Sequence, residues 1–142
     1  MMTATPMKSA FSLTLLLSIL LLLPLSAYAE TIEGKLNGLQ CAISGYVCPI
    51  DKKDPMVALE ADFVVQTGPE EWYLIPNIDR AVKARYVLED VVVTGQVDPQ
   101  YRSINADTLQ VKQNGTLKTV WSQQEQEEMR KQFQEQIYKG SQ

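Results

Sequence analysis

The sequence predicts a mostly β domain, a small five-stranded barrel with one inserted helix, followed by an extra strand and a helix at the C-terminus. Three observations support this prediction. Apolar and polar residues alternate along residues 56–67 with the period of a half-buried strand. The apolar period becomes helical over residues 77–88. Asn114-Gly115 is the strongest two-residue hairpin signal in the chain.

The stretch 56–67 is predicted as the second strand of the barrel. Its apolar face holds Val57, Leu59, Ala61, Phe63 and Val65. Its other face holds Glu60, Asp62 and Gln66, which we expect to contact water. A Gly-Pro turn follows, so this strand and the short aromatic strand 71–75 should form an antiparallel hairpin.

The other predicted strands contain glycines, and in some of them the apolar residues change from one alternating set of positions to the other. The first strand is predicted over residues 31–43, where Gly34 and Gly38 suggest a bulge or a sharp coil. Residues 44–55 contain glycine and proline and are predicted as a loop. Further strands are predicted over 89–97, 103–112 and 116–121, with a bulge near Asp107.

Two helices are predicted. The first covers residues 77–88 and is capped by Asn77 or Asp79. The second covers residues 122–138 and begins with an S-x-x-E capping box formed by Ser122 and Glu125. Along this second helix a narrow apolar stripe recurs every fourth residue, at Met129, Phe133 and Ile137. The helix either lies on the domain through this stripe or projects from the domain.

The order of these elements resembles a known architecture. Three strands, one helix and two further strands succeed one another, with Gly34 and Gly38 in the first strand, the helix after Pro76, and V-x-V-x-G-x-V over residues 91–97. On these features residues 32–111 resemble the small OB-fold proteins of the bacterial periplasm. The resemblance implies a Greek-key barrel that serves as a binding module. The alternative folds are a small β-sandwich and an open β-meander with a packed helix.

The N-terminal residues 1–29 have the pattern of a secretory signal peptide. Lys8 precedes an apolar run over residues 11–25, and Ala27-Tyr28-Ala29 forms a small-residue cleavage site. We expect cleavage after Ala29, location in the periplasm or outside the cell, and no stable membrane anchor afterwards. The alternative is an uncleaved anchor, for which the run is short. The rest divides into a domain over residues 30–121 and a C-terminal helix and tail over residues 122–142.

Charge and composition exclude several classes of function. The chain of 142 residues has a formal net charge of −4 and no basic block, so we expect no binding to nucleic acid. It contains no histidine, which removes the commonest general base and excludes Ser-His-Asp and Cys-His catalysis within this chain. We therefore expect a protein that is not an enzyme and that has no catalytic, cofactor or metal site.

The two cysteines, Cys41 and Cys48, are expected to form a disulfide, because an even cysteine count in an oxidising compartment favours pairing. Two alternatives remain open for this pair. One is a redox-active dithiol, although the spacing differs from C-x-x-C. The other is a soft-metal dithiolate site, for copper(I) for instance. Two thiols alone do not complete a tetrahedral zinc site, and no histidine is present to help.

Aromatic and basic residues suggest a second candidate surface. Trp72 and Tyr73 are adjacent in a predicted strand, so one of them should lie outside the barrel. Tyr101 with Arg85 and Arg102 would supply further ring and anion contacts. The alternative is that the rings belong to the core and that the basic side chains are solvated.

The favoured hypothesis from sequence is a non-catalytic periplasmic module of the OB type that binds a protein or a small ligand. Trp72 or Tyr73, together with the stripe of Met129, Phe133 and Ile137, would form the binding surface. The alternative is a redox-active or copper-handling protein that works through Cys41 and Cys48. The sequence makes no prediction about the oligomeric state.

Overall fold

The computed structural model describes residues 29–49 and 55–140. The predicted signal peptide therefore lies outside the described residues, except for Ala29, and so does the charged run 51–54. The described elements are β1 (Glu30–Gly38), α1 (Leu39–Ile43), α2 (Pro55–Leu59), β2 (Phe63–Gln66), β3 (Trp72–Leu74), α3 (Arg80–Ala84), β4 (Asp90–Asp98), β5 (Ser103–Gln113), β6 (Thr116–Ser122) and α4 (Gln123–Gly140).

The six strands form one sheet in the order β3-β2-β1-β4-β5-β6, with antiparallel neighbours. β3 also pairs with β5 in parallel, where Leu74 lies opposite Ser103. The backbone N–H of Leu74 donates to the carbonyl of Arg102 at 2.8 Å. This pairing closes β1 to β5 into a ring, and β6 extends the sheet outside it. The predicted mostly β class, with an extra C-terminal strand and helix, is confirmed.

β1 connects the two halves of the ring. Lys35 lies opposite Gln66 of β2 on one side and opposite Asp90 of β4 on the other. A side chain on the preceding residue, Gly34, would overlap the carbonyl oxygen of Gln66. Glycine at this position therefore allows the backbones of β1 and β2 to approach closely.

The core fills the interior of the ring. Alternate residues of β4 and β5 point inward, including Val91, Val93, Leu109 and Val111, and all four are fully buried. Phe63 is the largest fully buried side chain. Burial of such side chains contributes roughly 1.5–3 kcal/mol each and is the main driving force for closing the ring.

The prediction of one strand over residues 56–67 is wrong. Its first part is the short helix α2, and only Phe63–Gln66 forms β2. All four residues of β2 are buried, so the strand has no wet face. Glu60 and Gln66 were expected to contact water, yet both are buried and hydrogen-bonded. The alternation in the sequence therefore does not reflect a two-sided strand.

The predicted first strand and first helix are also longer than the observed elements. β1 ends at Gly38, and residues 39–43 are helical instead of extended. The helix predicted over residues 77–88 is reduced to α3. Asp79 caps it by accepting from the N–H of Ala81 at 2.6 Å. The side chain of Asn77 binds β5 instead: its Nδ2 donates to the carbonyl of Ala106, and its Oδ1 accepts from the N–H of Ala106.

The C-terminal half follows the sequence prediction closely. Asn114 and Gly115 have φ values of 51° and 79°, as a two-residue hairpin turn requires, and they join β5 to β6. The register of β4 and β5 shifts between Thr94 and Gly95, which leaves Asp107 as the extra residue of a bulge. The bulge predicted near Asp107 is therefore confirmed.

We expect the substitution Gly95→Ala to lower the free energy of unfolding by about 3 kcal/mol. The added methyl group would overlap the backbone carbonyl of Asn105 and lie 2.8 Å from the Cα of Ala106, and backbone atoms in a sheet cannot move aside. Urea unfolding followed by circular dichroism measures this change. Gly140→Ala is the control, because nothing lies near its added methyl group. Equal midpoints for the two variants would contradict the prediction.

Candidate functional site

The strongest concentration of buried polar groups surrounds the two cysteines. Cys41 and Cys48 form a disulfide with their Cα atoms 5.5 Å apart, so the predicted bridge is confirmed. Both residues are buried, Cys41 in α1 and Cys48 in the loop that follows. The bridge closes a loop with a sequence separation of 7, for which chain entropy predicts a stabilisation of about 2 kcal/mol.

Glu60 inserts its carboxylate beneath α1 and next to the disulfide. Oε2 accepts from the N–H of Gln40 at 2.8 Å, and Oε1 accepts from the N–H of Cys41 at 3.3 Å. Oε1 also lies 3.7 Å from Sγ of Cys48. A side chain at Gly38 would overlap this carboxyl group. Glu60 therefore caps α1 from a distance, in the absence of a capping side chain at Gly38 itself.

Asn37 fastens the loop that carries Cys48. Its Oδ1 accepts from the N–H of Cys48 at 2.9 Å. Its Nδ2 donates to the carbonyl of Tyr46 at 2.9 Å and to Oε1 of Gln66 at 2.6 Å. Because Asn37 and Gln66 lie in paired strands, this amide connects the loop directly to the sheet.

Two cations of α3 hold the segment that carries Glu60. The guanidinium of Arg80 donates to the backbone carbonyls of Ala58 and Glu60 at 2.8–3.0 Å and stacks over the ring of Phe63. The buried ammonium of Lys83 pairs with Asp62 at 2.6 Å and donates to the carbonyl of Ile75. Asp62 was expected on a wet face, but it is the counter-ion of a buried lysine.

A cavity of about 250 Å³ opens next to the carboxylate, between α1 and α2. It is lined by Leu39, Gln40, Ile43, Leu59, Glu60 and Ala61. Ile43 and Leu59 are exposed at its mouth. Small solutes and water therefore have a route toward Glu60 although this residue is only 7% exposed.

The predicted aromatic surface is only partly assembled. Trp72 is half-buried, and the guanidinium of Arg102 lies 5.6 Å from its ring centroid. Tyr73 is also half-buried and packs against the core, so neither ring of the pair is fully outside. Tyr101 adjoins Arg102 and is 66% exposed. Arg85 is exposed at the C-terminal end of α3.

The predicted apolar stripe of the terminal helix is exposed. Met129, Phe133 and Ile137 are 60%, 64% and 55% exposed, and no residue of α4 is buried. The helix contacts β5 and β6, and Ser122 caps it by accepting from the N–H of Glu125 at 3.3 Å. Of the two arrangements that the sequence allowed, α4 therefore projects from the domain with its stripe uncovered.

Glu60 and Asn37 were missed by the sequence reasoning. The backbone partners of Glu60 lie 19 and 20 residues away in the chain, and Gln66 lies 29 residues from Asn37. No local pattern marks residues whose partners are so distant. The sequence predicted that the strand coils at Gly38. It did not predict the carboxylate of Glu60, which requires a glycine at this position.

Comparison with known proteins returned no similarity: no protein-family model, curated protein or solved structure matches this chain. None of the helices in the described part of the chain combines the length and the apolarity that crossing a membrane requires.

We expect Asn37→Ala to lower the free energy of unfolding by about 3 kcal/mol, because two buried groups, the N–H of Cys48 and Oε1 of Gln66, and the partly buried carbonyl of Tyr46 lose their partner. The disulfide should also be reduced faster, because the loop with Cys48 loses its attachment to β1. Urea unfolding and the rate of thiol release under a phosphine measure the two effects. Asn105→Ala, at an exposed asparagine of β5, is the control. If the disulfide of Asn37→Ala is reduced as slowly as that of the unmodified chain, the side-chain amide of Asn37 does not hold the loop.

Proposed function

We propose that this chain is a non-catalytic binding module of the OB type, which docks a partner protein through α4. The connectivity supports the fold assignment, because β1, β2, β3, β5 and β4 follow one another around the ring and α3 connects β3 to β4. A five-stranded Greek-key barrel has this kind of closure. β6 and α4 are additions outside the ring.

The proposed compartment is the bacterial periplasm or the cell exterior, after removal of a signal peptide ending at Ala29. The disulfide supports this location, because such bonds persist in oxidising compartments. The absence of histidine from the whole chain supports a role without acid–base catalysis. A thiol-exchange role is less favoured, because Cys41 and Cys48 are only 5% and 2% exposed and a protein partner must reach a sulfur atom.

The observation that carries the proposal is the uncovered stripe of α4. Met129, Phe133 and Ile137 have the spacing with which a helix places anchors into an apolar groove. Exposed apolar side chains in one row on a helix with no buried residue contribute nothing to the fold of the domain. Their burial in a partner would contribute roughly 1.5–3 kcal/mol per side chain.

The charges along α4 describe the partner further. The first turns are acidic, with Glu125, Glu127 and Glu128, and the later turns carry three cations, Arg130, Lys131 and Lys139, and one anion, Glu135. We therefore infer a partner whose apolar groove is flanked by basic residues at one end and by acidic residues at the other. The β3 surface is a weaker candidate for stacking a ligand, since Arg102 already covers the ring of Trp72.

We expect Phe133→Gln to weaken the complex with the partner at least about tenfold, while the unfolding midpoint stays unchanged. A photo-crosslinking residue at position 137 in the native compartment identifies the partner, and titration of the purified pair measures the affinity. Gln134→Ala, at an exposed and uncharged residue of the same helix but off the stripe, is the matched control and should retain most of the affinity. The proposal fails if Phe133→Gln binds as tightly as the unmodified chain. If the crosslinks join only two copies of this chain, the stripe binds a second copy of the chain and not a different protein, which contradicts the proposal.

A further inference from the structure

We propose that Cys41, Cys48 and Glu60 bind one zinc ion when the two cysteines are in the dithiol form. This inference is independent of the partner-docking role of α4. The two Sγ atoms and a carboxylate oxygen of Glu60 lie within 4.8 Å of one another, and all three residues are buried. Two thiolates and a carboxylate are established zinc ligands, and three protein ligands leave a fourth position for water.

The distance between the ligand atoms fits tetrahedral zinc. With Zn–S bonds of about 2.3 Å and Zn–O bonds of about 2.0 Å, a sulfur and an oxygen ligand are about 3.5 Å apart. Sγ of Cys48 and Oε1 of Glu60 are already 3.7 Å apart. Two zinc-bound sulfurs are about 3.8 Å apart, so the sulfurs must separate by less than about 2 Å once their bond is broken.

Oε1 of Glu60 retains the capacity to bind a metal ion. Among the described residues, its one N–H donor is Cys41, at the longer distance of 3.3 Å, whereas Oε2 takes the shorter bond from Gln40 at 2.8 Å. A carboxylate oxygen has two lone-pair sites, so one site on Oε1 remains for the ion. The two backbone donors fix the orientation of the carboxylate, as outer hydrogen bonds commonly do for metal ligands.

The backbone of each cysteine is also held in place. The N–H of Cys41 is bound by Glu60, and the N–H of Cys48 is bound by Asn37. Neither interaction involves the disulfide bond itself. The two thiols of the unbridged chain therefore start from nearly the positions that they have in the bridged form.

The donor set favours zinc over the other candidate ions. Copper(I) prefers thiolate and thioether ligands and gains little from a carboxylate. Calcium and magnesium require oxygen ligands. Zinc accepts both sulfur and oxygen. Glu60, which the sequence reasoning did not include, thus changes the preferred metal from copper(I) to zinc.

Zinc and the disulfide exclude each other. Cysteines enter the chain as thiols, so the dithiol form precedes the bridge. Binding of Zn²⁺ to two thiols and the carboxylate releases two protons to solvent. Oxidation by a small-molecule disulfide removes two electrons from the thiolates, forms the S–S bond and releases Zn²⁺ unchanged, while the oxidant takes up two protons from solvent and becomes two thiols.

The test uses the chain without its signal peptide, reduced with a phosphine under anaerobic conditions, and Co²⁺ followed by Zn²⁺ as the probes. We expect one Co²⁺ per chain, a thiolate-to-cobalt charge-transfer absorption, displacement of Co²⁺ by Zn²⁺, and protection of both thiols from alkylation. The disulfide form should bind neither ion. Failure of the reduced chain to bind one ion overturns the proposal.

Variants test the role of the carboxylate. Glu60→Gln should weaken zinc binding at least about tenfold and change copper(I) binding less than about threefold. Glu70→Gln, at an exposed glutamate, is the matched control and should bind zinc like the unmodified chain. If Glu60→Gln does not fold, Glu60→Asp takes its place. Its side chain is shorter, so the carboxylate keeps its charge but lies farther from the two sulfurs, and zinc binding should again be weaker. Zinc binding that is unchanged in the folded variant of Glu60 overturns the assignment.

Discussion

The buried carboxylate of Glu60 constrains the structure around it more than any other single group. A carboxylate removed from water is destabilising by several kcal/mol unless hydrogen bonds compensate it. Gln40 and Cys41 supply those bonds only if the chain turns into α1 directly after β1. This change of direction also requires glycine at position 38, because a side chain there would overlap the carboxyl group of Glu60. The end of a strand, the start of a helix and the position of the disulfide therefore depend on one side chain from another part of the chain.

The same carboxylate depends on the ring of strands through α3. Arg80 holds the backbone of residues 58–60, and Lys83 holds Asp62 two residues further on. Lys83 is buried and Asp62 is partly exposed, so loss of Asp62 would leave a buried ammonium without its counter-ion. These cations belong to α3, which follows β3, the strand that closes the ring. The site beside the cysteines is therefore positioned by contacts from α3 as well as by the strands next to it.

Local signals predicted the parts of the fold that local interactions determine. The Asn114-Gly115 turn and the capped helix α4 each depend on residues a few positions apart, and the bulge at Asp107 is signalled by the change of apolar phase between Ala106 and Leu109. The strand predicted over 56–67 failed because distant contacts override its local alternation: Glu60 turns inward to the N–H of Gln40, 20 residues away. The cysteine count predicted the disulfide, but no pattern in the sequence pointed to the third side chain beside it.

The terminal helix is formed without a covering partner, and its composition explains how. An isolated helix of this length is marginal in water. α4 consists mostly of strong helix formers, namely Gln, Glu, Lys, Arg and Met. The Ser122 cap and the side-chain pairs Gln123–Glu127 and Gln124–Glu128 add further tenths of a kcal/mol. None of these interactions uses the apolar stripe. Because the helix is ordered beforehand, binding through the stripe would lose little conformational entropy, and most of the free energy of burying three side chains would appear as affinity.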